Sequence, residues 1–374
     1  MVNKQSQGFE TLKRWLKTGV TLLLLVTLSL GLSAAKDLRI SRLPAGNAIT
    51  DSRALLRYAL PIDNSTVRDL QASLEDIAVQ LRANRRWGAA SSDVSKASRI
   101  VNNNADKLLA TVPEANQPQA EALIAQLKDN IATLQTTVEA KDKQQALDQR
   151  SAILDQVGKL EALMLDKFPY DVPEAYSNLP QLKGRATVEF TTSKGKMTAI
   201  VDGYSAPVTA GNFVDLVQRG FYNGLPFTRA EESYVLQVGD PPGPEVGFVD
   251  PKTKQYRAIP LEVLVKGDAV PTYGITLEDA GRFREQPVLP FSAFGAMALA
   301  RPSDDPNGGS SQFFFFLFEP ELTPAGANLL DGRYSIFGFV VEGKEVLEEL
   351  KAGDKIESAK VIEGAENLVQ PSIA

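Results

Sequence analysis

FTRAEESYVLQVGD at residues 227–240 and GGSSQFFFF at residues 308–316 decide how this chain folds. Val235 to Val238, apolar except for Gln237, and the apolar Phe313 to Phe318 are runs of strand length bounded by turn residues. Asn223–Gly224 makes a turn ahead of the first run. Phe313 is expected in the core. Arg229, Gln312 and Phe314 then describe an apolar groove with one fixed cation.

The sequence around these stretches keeps the period of two. Ala186, Val188 and Phe190 alternate with polar residues, a glycine turn occupies 193–196, and Met197, Ala199 and Val201 resume on one face. This is an opening hairpin. Residues 208–220 read as a helix with Thr209 as its cap and Phe213, Leu216 and Val217 facing inward. Residues 296–300 and 335–341 read as further strands, 342–351 as a short helix and 356–362 as a closing strand. The segment between Asp240 and Phe294 is long and stiffened by Pro241, Pro242, Pro244, Pro260 and Pro271. It is placed to cover the groove or to form a new surface.

Residues 50–165 instead carry a helical period. Val67, Leu70, Leu74, Ile77 and Leu81 form one stripe, with Asp63 or Ser65 as the cap. Thr50 is the expected cap of a shorter helix through Leu60. Leu123, Leu127, Ile131, Leu134 and Val138 form a second stripe, and Leu147, Leu154, Val157 and Leu160 continue it. No such helix buries its stripe alone, so a bundle is expected. The domains are accordingly read as a helical bundle over 36–167, a proline-containing linker over 168–183 and a β domain over 184–374. Residues 1–35 read as a signal peptide, with Lys4, Lys13, Arg14 and Lys17 ahead of the apolar stretch 20–32. An uncleaved anchor is the alternative, and either one takes the protein out of the cytosol.

The chain has 374 residues, a net charge of -6, no cysteine and no histidine. Disulfides, thiol nucleophiles, Ser-His-Asp chemistry and histidine acid–base catalysis are therefore excluded. So are typical zinc sites, while a carboxylate-only Mg or Ca site stays open. Residues 184–374 carry 17 basic and 26 acidic side chains, which argues against a nucleic-acid partner.

Residues 184–365 resemble the cyclophilin family of peptidyl-prolyl isomerases. The resemblance rests on APVTAGNFVDLVQRGFYNGLPF, FTR…QVGD, NGGSSQFFF and LLDGRYSIFGFVVEG, in that order. The whole chain is similar to the multidomain cyclophilins of the thylakoid lumen and their cyanobacterial relatives. The implied fold is multidomain α and β: a helical bundle followed by a closed eight-stranded antiparallel β-barrel with capping helices. Such a barrel wall, carrying an outer groove or helix, has room for aromatics on both faces, as Phe313 to Phe318 require.

The implied reaction is rotation about the bond before proline, whose barrier is about 18–20 kcal/mol. No bond breaks, so no cofactor, metal or nucleophile is called for. A guanidinium that donates to the twisted amide nitrogen stabilises the twisted state over the planar ones. Arginine suits this because it stays charged and its fork is rigid. The resemblance assigns Arg229 as catalytic, Gln237 and Gln312 as backbone-binding, and Phe314 and Leu330 as walls of a proline pocket. Tyr234, Val235, Leu299, Leu329 and Tyr334 stand where active members usually carry Phe, Met, Asn, Trp and His. Loss of positioning removes rate before it removes binding. Two functions follow as expectations: an assembly factor or chaperone for photosystem II membrane proteins with feeble turnover, or an active isomerase assisting folding outside the cytosol. Expected partners are proline-containing segments and photosystem II subunits, with the helical half contacting the β half. The expected location is the thylakoid lumen or the periplasm.

Overall fold

Eight strands hydrogen-bond into one curled antiparallel sheet in the computed structural model, which describes residues 49–82, 86–318 and 328–371. The signal peptide expected over residues 1–35 lies outside the described residues. The sheet comprises β2 (Arg185–Thr192), β3 (Gly195–Asp202), β4 (Arg229–Glu231), β5 (Val235–Val238), β8 (Ala296–Leu299), β9 (Phe313–Phe316), β10 (Ile336–Glu342) and β11 (Ile356–Glu363). Two small pairs flank it: β1 (Gln181–Leu182) with β12 (Leu368–Val369), and β6 (Glu262–Val263) with β7 (Thr272–Tyr273).

The closed barrel expected from the sequence is corrected here. The order β11–β2–β3–β10–β8–β9–β5–β4 leaves β11 and β4 as free ends with no ladder between them. Turn residues cross the seam instead. Gly224 donates to the Ile356 carbonyl, Phe227 to the Asp354 carbonyl and Gly353 to the Phe227 carbonyl. Pro226 bridges Lys355 in isolation, flanked by the Phe227 bond to Asp354 and by the Ile356 amide donating to the Leu225 carbonyl. With β4 only three residues long, the result is an open half-barrel.

Every side chain of β9 is buried, because both faces of the sheet are covered. Phe313 and Phe315 point into the main core, with Phe190, Phe337 and Phe213 of the helix α7 (Pro207–Gln218). Phe314 and Phe316 point the other way, into a second core with Phe291, Ile336 and Phe339. Leu55, Leu56 and Ala59 of α1 (Ser52–Ala59), the first helix among the described residues, complete that second core.

The helices α2 (Ser65–Arg82), α3 (Trp87–Asn103), α5 (Gln117–Glu139) and α6 (Lys143–Leu163) pack around one core, with the short α4 (Ala105–Leu109) beside them. The expected stripes Val67–Leu81 and Leu123–Val138 are all buried there. Asn64, rather than Asp63 or Ser65, caps α2 by accepting from the Val67 amide at 3.1 Å.

α1 joins the two halves. Its apolar side lies on the sheet and its polar side faces the bundle. Arg57 pairs with Glu75 of α2 at 3.1 Å, and Arg68 of α2 donates to the Arg57 and Leu60 carbonyls at 2.9 and 2.7 Å. On the sheet side Arg53 pairs with Glu342 at 2.7 Å, and Arg185 donates to the Leu56 carbonyl. Asp51, not Thr50, caps this helix by accepting from the Ala54 amide at 2.8 Å. Asp51→Ala is expected to lower stability by about 0.5–2 kcal/mol, read as a shift of the urea midpoint. An unchanged midpoint would show that α1 is held by its contacts alone.

Candidate functional site

The site begins as a row of side chains set by strand register. Arg229 of β4 lies opposite Gln237 of β5, Gln237 opposite Phe314 of β9, Phe314 opposite Ala298 of β8, and Ala298 opposite Ile336 of β10. Directly opposed residues share a face. One line of side chains therefore crosses the outer face of the sheet, with Arg229 at its free edge.

A hollow of about 120 Å³ follows this row, lined by Arg229, Tyr234, Val235, Gln237, Ala300, Arg301, Phe314, Leu330 and Tyr334. Phe314 forms its floor, stacked on Phe291 at 6.0 Å and edge-on to Tyr334 at 5.3 Å. Leu330 is positioned by a small polar knot. Its amide donates to Asn328 Oδ1, and Asp331 accepts from the Asn328 and Phe291 amides at 3.0 and 2.8 Å. Burial holds the Asp331 carboxyl above the usual range.

The polar groups of the site are largely engaged with one another. Arg229, half exposed, directs Nε and Nη2 at Glu231 Oε1, at 2.7 and 2.5 Å. Gln237 donates to Gln312 Oε1 at 2.7 Å. Gln312 Nε2 donates to Asp240 at 3.0 Å and to the Val246 carbonyl at 2.8 Å. The loop after β5 thus ties Gln312, and Gln312 ties Gln237.

Two expected site residues lie apart from this hollow. Leu299 faces Phe313 in the register, on the other side of the sheet, and packs with Val208 and Ile259. Leu329 is 88% exposed and lines neither hollow. Arg301 and Ala300 were not expected in the site, although the alternation Ala296, Ala298, Ala300 along β8 already pointed to its outer face. A second hollow of about 230 Å³ adjoins the first and shares Gln237, Ala300 and Arg301 with it. Val246 and Tyr256 of the long proline-stiffened segment form its far wall. That segment borders the groove without covering it.

Comparison with known proteins follows the same division of the chain. Residues 51–165 match the family model described as the PsbQ-like domain of CYP38-like peptidyl-prolyl cis-trans isomerases. Residues 187–367 match the cyclophilin-type peptidyl-prolyl cis-trans isomerase family. A Synechocystis protein named as a thylakoid lumen peptidyl-prolyl cis-trans isomerase is 58% identical, over 96% of each chain. The chloroplastic peptidyl-prolyl cis-trans isomerases CYP38 and CYP37 of Arabidopsis thaliana are 42% and 34% identical. The matches cover 89% and 84% of this chain and 78% and 70% of those proteins.

Proposed function

Since this chain belongs to the cyclophilin-type peptidyl-prolyl cis-trans isomerase family, we propose that its outer hollow takes proline-containing segments of membrane proteins. The protein acts chiefly as an assembly factor or chaperone for photosystem II membrane proteins, with weak or absent turnover. It is exported, to the thylakoid lumen or the periplasm. Its modules on this reading are a helical domain over 36–167 and a cyclophilin-like domain over 184–374, joined by 168–183.

The observation that carries the reading is the hydrogen-bond chain Gln237–Gln312–Asp240/Val246. Donors that would hold a substrate backbone are committed to the protein's own loop, and Arg229 is committed to Glu231. The apolar walls Phe314, Leu330 and Tyr334 remain available to a prolyl ring. Such a site keeps affinity and loses the positioning that turnover needs. A second reading, an active isomerase, is favoured by Arg229 sharing the hollow with Phe314, with Nη1 not held by Glu231.

Isomerisation of an X-Pro peptide by the wild type and Arg229→Ala separates the two. On the assembly reading both rates stay near the uncatalysed one while proline peptides still bind. On the isomerase reading the variant loses about 10- to 100-fold, the worth of one charge-assisted hydrogen bond of roughly 1.5–3 kcal/mol at a half-exposed group. Cross-linked pull-down from thylakoid membranes should recover photosystem II subunits. Their repeated absence counts against the assembly role.

A further inference from the structure

Two arginines line the hollow, Arg229 and Arg301, with Arg333 next to Arg301, and their charges are not equally compensated. Arg229 is paired with Glu231, and Arg333 with Glu278 at 2.5 Å. Arg301 has no carboxylate partner among the described residues. Its guanidinium lies over the Tyr334 ring, 5.2 Å from the centroid. Nε donates to the Arg333 carbonyl at 3.0 Å, and Nη1 to the Pro302 carbonyl at 2.8 Å. Nη1 also reaches the Ser303 carbonyl at 3.4 Å.

These contacts fix the fork without neutralising it. The acceptors are neutral carbonyls and an aromatic face. Nη2 makes no hydrogen bond to the described residues, which leaves its two N–H groups to a ligand. The side chain is already held in one orientation, and little further ordering is required when an anion arrives. Arg301 also lines both hollows, so a segment with its proline over Phe314 passes beside it on the way into the second. That hollow is partly apolar, with Val246, Tyr256 and Pro302, and the described residues lining it carry no second cation.

We propose that Arg301 selects proline segments bearing an aspartate or glutamate one or two residues from the proline. The inference rests on the reading of the outer hollow as a proline-segment site. The surrounding domain is acidic and repels anions at long range, so the preference is a contact effect. It is best read near 0.15 M salt, where the Debye length is about 8 Å. Arginine is suited to the role because its planar fork matches a carboxylate.

The test uses residues 36–374 and acetylated, amidated peptides with one proline, so that the side chain alone carries charge. Aspartate, asparagine or lysine is placed at each of the two positions on either side, and binding is followed by fluorescence anisotropy. At one or more positions, aspartate should bind roughly fivefold tighter than asparagine, with lysine weaker still. Arg301→Gln should bring the aspartate-to-asparagine ratio to about one, whatever its effect on the affinity common to all the peptides. Arg301→Glu should reverse the order in favour of lysine, a gain that misfolding would not produce. If wild type binds all peptides equally, or Arg301→Gln keeps the ratio, the selection by Arg301 is wrong and the proline site stands. If wild type binds none of them, the proline site falls and this inference with it.

Discussion

Phe313→Ala is expected to lower the unfolding free energy by about 3–5 kcal/mol, measured by urea denaturation followed by circular dichroism. The ring is fully buried and meets Phe213 at 5.2 Å, Phe315 at 5.3 Å, Tyr222 at 5.4 Å and Phe337 at 6.0 Å. These come from α7, the chain just after it, β9 itself and β10. The cavity cannot collapse easily, because β9 is laddered to β5 on one side and to β8 on the other. Phe314→Ala, one residue on, removes the floor of the outer hollow. It should weaken proline-peptide binding, while Phe313→Ala measured on folded protein should leave binding near that of wild type. A cost below about 1 kcal/mol for Phe313→Ala would mean that the inner aromatic cluster contributes much less than its burial implies.

Stability is expected to fall as the pH rises from 4.5 to above 7. Glu262 is fully buried, with its carboxylate over the start of α7, accepting from the Val208 and Thr209 amides at 3.1 and 3.0 Å. Burial disfavours the ion more than those amides favour it, and its pKa is pushed up from 4.5 to about 7. Glu161 behaves alike: burial pushes it up to about 7, although Arg68 lies 3.0 Å away. A carboxyl with a raised folded-state pKa is more readily protonated in the folded chain than in the unfolded one. Its contribution is full below pH 4.5 and is lost as the pH climbs through about 7. For Glu262 the difference amounts to about 3 kcal/mol at most. Asp215, held low despite its burial by hydrogen bonds from Arg257, Gln370 and Arg219, works in the opposite sense at lower pH, outside this window. Urea midpoints at pH 5.5 and 7.5 test the claim. Wild type should be the more stable at 5.5, and Glu262→Gln should narrow the gap. A gap of equal size in the variant would remove Glu262 from the account.

The parts of this architecture that were legible in the sequence are those fixed by local period. The stripes Val67–Leu81 and Leu123–Val138 step at helical spacing and are buried as expected. Arg229 and Gln237 share a face because strand alternation and one hairpin suffice to put them there, while Phe314 joins them through the distant β5–β9 ladder. What escaped depends on distant partners. Leu55, Leu56 and Ala59 look like any bundle stripe, yet their partner is the sheet more than 200 residues downstream. The carboxylate over the start of α7 comes from Glu262, 53 residues beyond the Thr209 that was expected to serve as the cap. The sheet stays open because only an isolated bridge, Pro226 with Lys355, joins its two ends, and that is visible only once the ends are known to meet. Leu299 was assigned to the groove by resemblance, but the register turns it to the opposite face.

The placement of α1 bears on how this protein can be divided. Eight residues are too few to persist as a helix in water, so this element exists because two neighbours hold it. Cutting the chain after the linker would discard it and take Leu55, Leu56 and Ala59 out of the second core, uncovering part of the greasy back of the sheet. A fragment trimmed to the catalytic-looking half is thus an altered object with a raw, adhesive flank, and any client it captures there would be an artefact of the knife.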